Sequence, residues 1–320
     1  MGPRGREMKY RAVASAILVT GLILGFAASA QEQAPPESAP AADAPQDFAV
    51  ESVVVTAPAL RTERALNHFI ITHAAPSPFI GKIARWEDGI CPLTVGLSEK
   101  LALYVTHRII RVAMLAGAPL DSREPCRPNI AVVFTATPQE MLDVVRTKHS
   151  ALLGFHYTAQ AKKIATMTRA AQAWYSTATE DFNGFVQSDG GGVNRNIIDA
   201  MGGYSAAVSG SRTGDGLKSQ FTTAIIIVDS AKIAGQAIGP IADYVAMLAL
   251  SQGQSYDTCQ NVPTITNLLA SGCAEGMRPT ALTDVDSTYL RGLYKMASGG
   301  SYMMERGSIA HAMKQELGGY

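Results

Sequence analysis

The sequence predicts a mixed α+β domain, because strand-like and helix-like patterns alternate along the chain. Ser98 can cap a helix, and apolar residues recur with helical spacing over residues 101–115 until Gly117 ends the pattern. Residues 128–134 then form a buried-strand pattern, and residues 221–228 form the most apolar of the strand patterns. The domain is therefore predicted to begin β-α-β-α and to contain a later strand that is central or well covered.

The chain begins with the three parts of a secretory signal peptide. A basic start is followed by an uncharged apolar run over residues 12–27 and then by Ala28, Ser29 and Ala30, the small residues that a signal peptidase requires. The basic residues are Arg4, Arg6, Lys9 and Arg11. An uncleaved anchor helix is the alternative, but spanning a bilayer takes about 20 apolar residues. We therefore expect residues 1–30 to be removed and the mature protein to be periplasmic or secreted.

Residues 31–60 are predicted to be a flexible linker that contains one short strand. Up to about residue 46 the linker has almost no large apolar side chain, so it cannot recover its ordering entropy. Residues 51–57 are β-branched and precede Pro58, which predicts the strand. They also resemble the TonB box of outer-membrane receptors, which pairs by strand addition, although an ordinary strand is the favoured interpretation. The globular domain is assigned to residues 61–297, and residues 298–320 are assigned to a loosely attached tail, flexible or helical, with a frayed end.

Further elements are predicted within the globular domain. A proline in the first turn opens a second helix at residue 138. Residues 242–252 form an apolar helix, and Thr283 with Asp286 makes a capping-box-like start for a final helix. The remaining strand patterns lie at residues 83–86, 92–96, 171–175 and 204–209.

The charge balance excludes two classes of partner. The sequence has 27 Lys plus Arg and 27 Asp plus Glu residues, so no net field would gather nucleic acid or draw the protein onto anionic lipid. No membrane-spanning segment is expected after signal cleavage. With 47% hydrophobic residues, the mature chain can bury a substantial core. The expected partner is an unknown protein, peptide or envelope ligand.

Four cysteines in an exported chain predict two disulfides. Three pairings are possible, and the cysteines fall in two clusters along the sequence. We therefore favour Cys91 with Cys126 and Cys259 with Cys273. A zinc site built from all four is the alternative, but no pair has the C-x-x-C spacing with which two thiolates reach one ion.

Three segments of the C-terminal third resemble the core of the matrixin-type zincin metallopeptidases. They are residues 241–252 with the sequence IADYVAMLALSQ, residues 263–268 and residues 282–294. In the matrixin layout a helix carrying H-E-x-x-H leads to a turn of the S-I-M-N-Y kind, and a final helix begins with L-T-x-x-D and ends with L-Y. With the preceding strand-helix-strand order, the resemblance covers most of residues 83–294. It implies a zincin-like mixed sheet with a long N-terminal helix and a degenerate active-site helix. The chain also resembles a family of exported bacterial proteins with this same ending.

The zinc ligands of that motif are absent from the matching positions. Zinc binding needs two His one turn apart, and a Glu must deprotonate the bound water. This sequence has Asp243, Tyr244 and Met247 at those positions, and Gly253 where a third metzincin ligand would fall. The resemblance therefore implies the fold without the activity, and we expect no catalytic residue, no bound metal and no cofactor.

Asp243 is the one charged residue on this otherwise apolar helix. It could mark a retained polar site. If Pro240 is the first helical residue, however, Asp243 lies near the first turn, where the helix dipole favours a carboxylate. The tyrosine and methionine of the motif positions are expected to be core residues. His68 and His73 are five residues apart, and the other histidines have no partner at ligand spacing, so each is expected to be a surface or satisfied core residue.

The resulting hypothesis is a non-catalytic binding domain with a groove beside the degenerate helix, although fold analogy supports function less well than it supports fold. One alternative is a hydrolase with a different catalytic set around Asp243, Glu180, Asp181 or Asp215. Another is a structural part of an envelope assembly. A pocket in which two of these carboxylates converge with a His would favour the hydrolase, and an apolar groove would favour the binding domain.

Overall fold

The computed structural model describes residues 63–149, 153, 165–189, 207–209, 211, 214–254 and 256–318. Within these residues the chain forms six α-helices and five strands, and the fold is mixed α+β as predicted. In chain order the elements are α1 (Glu63–His73), β1 (Pro92–Val95), α2 (Glu99–Ala116), β2 (Ile130–Thr135), α3 (Pro138–Lys148), β3 (Ala171–Glu180), β4 (Val186–Ser188), β5 (Lys218–Asp229), α4 (Ile238–Leu250), α5 (Asp284–Lys295) and α6 (Tyr302–Glu316).

The strands of the described residues form one mixed sheet in the order β1-β2-β5-β3-β4. β1, β2 and β5 are parallel, whereas β3 is antiparallel to both β5 and β4. Ile130 of β2 pairs with Pro92 of β1 on one side and with Ala224 of β5 on the other, so the buried positions of the three strands share one face. β5 has a paired strand on each side, which confirms the central position predicted for residues 221–228.

The main core lies between one face of the sheet and helices α2 and α4. Val105, Ile109 and Val112 of α2 are buried at helical spacing. The helix ends as predicted at Gly117, whose φ of 78° is the left-handed conformation that glycine adopts without a steric penalty. Buried and less buried residues alternate along β2. Successive side chains of a strand project to opposite faces, so one of the two sets lies in this core.

Helix α4 is buried on all sides. Every residue from 241 to 250 is buried, and the helix contacts α2, β5, β3 and the short 3₁₀ turn Ile265–Leu268. A helix that is apolar all round can only be accommodated inside a core. The sequence of α4 therefore positions it beneath the sheet.

A smaller apolar cluster covers part of the opposite face of the sheet. Leu142 and Val145 of α3 pack there with Trp174 of β3 and Ile227 of β5. Ile226, the residue before Ile227, belongs to the main core instead, because successive side chains of a strand project to opposite faces. The sheet thus has helices on both faces.

Helix α1 was not predicted from the sequence, and the region after it has less strand than predicted. The buried residues of α1 follow the helical spacing i, i+3, i+4 and i+7, and they are Leu66, Phe69, Ile70 and His73. Of the strand patterns predicted at residues 83–86 and 92–96, the second forms β1, whereas the first has only isolated bridges at Ile83 and Arg85. Of the strand predicted at residues 204–209, the described residues 207–209 form no strand.

The C-terminal segment is helical and packs on the domain. α6 lies against α5 and α1, and it places Ile309 and Met313 in the main core. Gly292 of α5 allows this close approach, because a Cβ there would lie 3.3 Å from the carbonyl oxygen of Ile309. The packing places α6 inside the folded domain, which therefore extends beyond the predicted boundary at residue 297, and the segment is not a loosely attached tail.

Two disulfides join Cys91 to Cys126 and Cys259 to Cys273. This is the pairing favoured from the sequence, and it is consistent with an exported protein. The first bond ties the residue before β1 to the loop before β2, and the second closes the loop between α4 and the 3₁₀ turn Glu275–Met277.

Replacing both Cys259 and Cys273 with Ser is expected to lower the free energy of unfolding by about 3 kcal/mol. The two cysteines are 14 residues apart, and without the bond the unfolded chain regains the entropy of that open loop. For a domain of this size the melting temperature should fall by roughly 6–12 °C. Thermal denaturation without reductant measures the effect, and an unchanged melting temperature would contradict it.

Within the described residues, no helix combines the length and the hydropathy needed to cross a membrane. The predicted signal peptide, residues 1–30, and the linker with its short strand, residues 31–60, lie outside the described residues.

Candidate functional site

The three positions that were compared with the zincin motif in the sequence lie together on α4. Asp243 and Tyr244 are each 2% exposed, and Met247 is fully buried. The helix begins at Ile238 rather than at Pro240, so Asp243 lies more than one turn inside it. The interpretation of Asp243 as a first-turn residue that interacts with the helix dipole is therefore wrong.

Asp243 is held by a buried ion pair with Arg108 of α2. The guanidinium donates two hydrogen bonds to the carboxylate, one from Nε to Oδ1 and one of 2.9 Å from Nη2 to Oδ2. The backbone N–H of Leu282 also donates to Oδ2, at 2.9 Å. Such bidentate pairing with an additional donor satisfies a buried carboxylate. Asp243 therefore connects α4 to α2 and to the residues that begin α5.

Tyr244 and Met247 are packed in the main core, which agrees with the expectation that they are core residues. Burial raises the pKa of the Tyr244 phenol well above its ordinary value, so the side chain stays protonated and is a poor metal ligand. Because all side chains of α4 between residues 241 and 250 are buried, none can line the open groove predicted beside this helix. The groove predicted beside this helix is therefore not formed by these residues.

Gly253, at the position of a third metzincin ligand, is covered by an aromatic ring. A Cβ at this residue would lie 2.4 Å from Cζ of Tyr256, and real side chains do not make such contacts. Tyr256 is itself only 6% exposed. The ring therefore occupies the space into which a ligand side chain would project.

The turn that follows α4 is tied to the start of α5. The Asp286 carboxylate accepts hydrogen bonds from the backbone N–H of Ile265 at 2.8 Å and from that of Thr283 at 2.9 Å. Thr283 and Asp286 form the predicted capping box, and the same carboxylate anchors the turn, which begins after Thr264. The turn packs against α4. Asp286 thus connects the turn that follows α4 to the start of α5.

His73 of α1 faces this turn. Its hydrogen-bond partners could not be predicted from the sequence. Its Nδ1–H donates to the carbonyl oxygen of Phe69 at 2.8 Å, and its Nε2 lies 3.0 Å from Oγ1 of Thr266. Burial lowers the pKa of His73 to about 3, so the ring is neutral near pH 7. The helical spacing of the buried residues of α1 was the signal that could have placed this histidine in the core.

The other histidines show no such environment. Each histidine was expected to be either a surface residue or a hydrogen-bonded core residue, and His73 is of the second kind. His156 lies outside the described residues. The exposed histidines are His68, His107, His149 and His311.

The carboxylates considered for an alternative catalytic set do not converge on a histidine among the described residues. Glu180 forms an ion pair of 2.7 Å with Lys218, and Asp215 forms one of 2.9 Å with Lys82. Within the same residues, no group of three or more His, Cys, Asp or Glu side chains is placed to hold a metal ion.

One end of the sheet presents a group of exposed apolar side chains, which we call the apolar tip. Three of its members lie within residues 182–186, and the fourth follows Ala207, whose carbonyl oxygen accepts a hydrogen bond from the N–H of Phe182. The members and their exposed fractions are Phe182 at 62%, Phe185 at 54%, Val186 at 47% and Val208 at 59%.

Asp181, which is 3% exposed, organises the apolar tip. Its Oδ1 accepts the backbone N–H groups of Asn183 and Phe185, both at 2.9 Å, and its Oδ2 accepts that of Ala207 at 3.2 Å. The N–H of Phe182 donates to the carbonyl oxygen of Ala207 at 2.9 Å. Two hydrogen bonds therefore join the β3–β4 turn to residues 207–209.

Comparison of the chain with protein-family models, with curated proteins and with solved structures found no match. The geometry of its own residues is therefore the basis for proposing a function.

Proposed function

We propose that the chain is an exported, non-catalytic domain of zincin-like layout that binds a peptide or protein partner through the apolar tip. The order of elements supports the layout: a buried helix below the sheet leads to a turn that packs on it, and a capped helix follows. The side chains at the positions compared with the zinc motif support the proposal that the domain is not catalytic. Asp243 is paired with Arg108, and Tyr244 and Met247 are enclosed in the core, so none of them can activate water.

The observation that carries the binding role is the exposure of two phenylalanines on a rigid turn. Phe182 and Phe185 are each more than half exposed, although such side chains are normally buried in a monomeric domain. Aromatic side chains contribute much of the binding energy at protein interfaces. The hydrogen bonds of Asp181 hold the backbone in place, which reduces the entropy lost on binding. A partner with an apolar surface would cover this tip.

The double substitution Phe182→Ser, Phe185→Ser is expected to abolish selection of peptides by this protein. A random peptide library displayed on phage should yield an enriched set on the wild-type protein, and the affinity of those peptides should fall at least about tenfold in the variant. The melting temperature should change little, because exposed substitutions usually shift stability by within about 0.5 kcal/mol. Enriched peptides that bind both proteins equally would place the binding surface elsewhere.

Met303→Ser is the matched control for that experiment. Met303 is 71% exposed and lies on α6, outside the apolar tip. If its loss reduces peptide affinity as much as the double substitution, general surface hydrophobicity rather than the tip explains the binding. Metal analysis of the purified, disulfide-intact protein separately tests the proposal that the domain is not a zinc enzyme. Stoichiometric zinc would contradict that proposal.

A further inference from the structure

We propose that Asp286 is a buried proton-binding site, and that its proton completes a hydrogen-bond chain from the start of α5 through the turn after α4 to His73 in α1. Four side chains form this hydrogen-bond chain. Thr264 Oγ1 lies 2.5 Å from Asp286 Oδ1, Thr266 Oγ1 lies 3.0 Å from Thr264 Oγ1, and His73 Nε2 lies 3.0 Å from Thr266 Oγ1. Each of the four residues is at most 2% exposed.

The two ends of this chain determine where its protons lie. At one end, Nδ1 of the neutral His73 must carry the hydrogen, because the carbonyl oxygen of Phe69 can only accept. Nε2 therefore accepts the hydroxyl proton of Thr266. At the other end, an ionised Asp286 can only accept, so Thr264 donates its hydroxyl proton to the carboxylate.

With Asp286 ionised, the contact in the middle of the chain has no proton. Both hydroxyl protons point outward, one to His73 and one to Asp286, and the two threonine oxygens face each other at 3.0 Å. Two acceptor oxygens in contact without a proton repel each other in a buried site, and water cannot relieve the repulsion.

A proton on Oδ1 of Asp286 removes this defect. The acid then donates to Thr264, Thr264 donates to Thr266, and Thr266 donates to His73, so every hydroxyl has an acceptor. The Thr264 oxygen can still accept the backbone N–H of Thr266, at 3.2 Å. The backbone donors from Ile265 and Thr283 bind the other carboxylate oxygen, so the cap of α5 is unaffected by the added proton.

The groups around Asp286 do not oppose proton uptake. Tyr256, in the loop after α4, interacts electrostatically with Asp286, and His73, at the far end of the hydrogen-bond chain, is neutral near pH 7. Among the described residues no Lys or Arg side chain forms an ion pair with it. Burial raises the pKa of Asp286 from 3.8 to about 6, although the donors from Thr264, Thr283 and Ile265 lower it.

The expected pH dependence is opposite to that of an aspartate whose pKa is lowered by an ion pair in the folded state. The folded protein takes up the proton as the pH falls through about 6, whereas the unfolded chain does so only near 3.8. Stability from this group is therefore gained as the pH falls between those values, and lost as the pH rises. A difference of about two pKa units corresponds to a roughly 100-fold decrease in the unfolding equilibrium constant.

The test is an NMR titration of the wild-type protein with ¹³C-labelled aspartate carboxyls. A carboxyl resonance is expected to titrate near pH 6 in the wild type and to be absent from Asp286→Asn. Asparagine imitates the protonated acid, because its amide can donate to Thr264 while its oxygen accepts the backbone N–H groups. The variant should therefore fold at pH 7, and the ratio of its unfolding constant to that of the wild type should rise roughly 100-fold between pH 7 and pH 4.

Asp284→Asn is the control, because Asp284 is exposed and occupies the same first turn of α5. Its unfolding constant should follow the wild type at every pH. If all aspartate carboxyls of the wild type titrate below pH 4.5, the proposal fails whatever the variants do. It also fails if Asp286→Asn folds and retains the wild-type pH dependence.

Discussion

Replacing Arg108 with Met is expected to destabilise the protein by about 3–5 kcal/mol, the range for breaking one side of a buried ion pair. The substitution leaves the Asp243 carboxylate, whose side chain is 3% exposed, with a single donor from Leu282. Because a charge in the core cannot be screened by water, this loss would remove a large fraction of the 5–15 kcal/mol typical of a domain. The melting temperature should fall by roughly 6–20 °C.

Substitution of the two partners of this ion pair should lower the free energy of unfolding to different extents. Asp243→Asn removes the charge but keeps an oxygen that can accept the N–H of Leu282, and Arg108 is 20% exposed and can reach solvent. The expected order of stability is therefore wild type, then Asp243→Asn, then Arg108→Met. Chemical denaturation of the three proteins measures it.

The matched control is the exposed pair of Asp143 and Arg146. The side chains are 51% and 46% exposed and lie 3.4 Å apart. Asp143→Asn should cost less than about 1 kcal/mol. If it costs as much as Arg108→Met, the burial of the Asp243 pair is not the source of the effect.

The second large effect is expected when a zinc motif is introduced into α4. Tyr244→Glu replaces a buried ring with a carboxylate in the apolar core, and it should cost more than about 4 kcal/mol. The triple substitution Asp243→His, Tyr244→Glu, Met247→His also breaks the contact with Arg108. We expect this variant to be unfolded, or folded without zinc, because the helix has no open side from which an ion could enter.

Circular dichroism and metal analysis of the purified triple variant check this expectation. Met247→Leu serves as the control, since a volume-conserving change in the same core should cost less than about 1.5 kcal/mol. A triple variant that folds and binds one zinc ion would show that α4 still offers a metal site. That outcome would also contradict the assignment of the motif positions to the core.

Helix α2, strand β5 and the capping box of α5 could be predicted because their signals are local. The spacing of apolar residues 101–115, the β-branched run 221–228 and the Thr283–Asp286 pair each lie within a few turns or one strand. Helix α1 carried a similar but shorter signal, with its four buried residues at helical spacing. It was missed because the segment that follows it was interpreted as strand.

The role of Asp243 could not be predicted, because its partner is 135 residues away. From the sequence, a single acid on an apolar helix is compatible with a helix-dipole contact, a retained polar site or an ion pair. Only the packing of α2 against α4 brings Arg108 within hydrogen-bond distance. The same holds for His73 and Thr266, which are separated by 193 residues.

The sequence by itself determined the α+β class, the pairing of the cysteines, and the absence of zinc ligands from the positions that resemble the matrixin motif. Each of these depends on residue type and short spacing. Only the tertiary structure decided that α4 has no open side, that α6 belongs to the domain, and that Phe182 and Phe185 are exposed. Burial and long-range pairing are properties of packed elements, and the order of residues along one segment does not specify what will cover it.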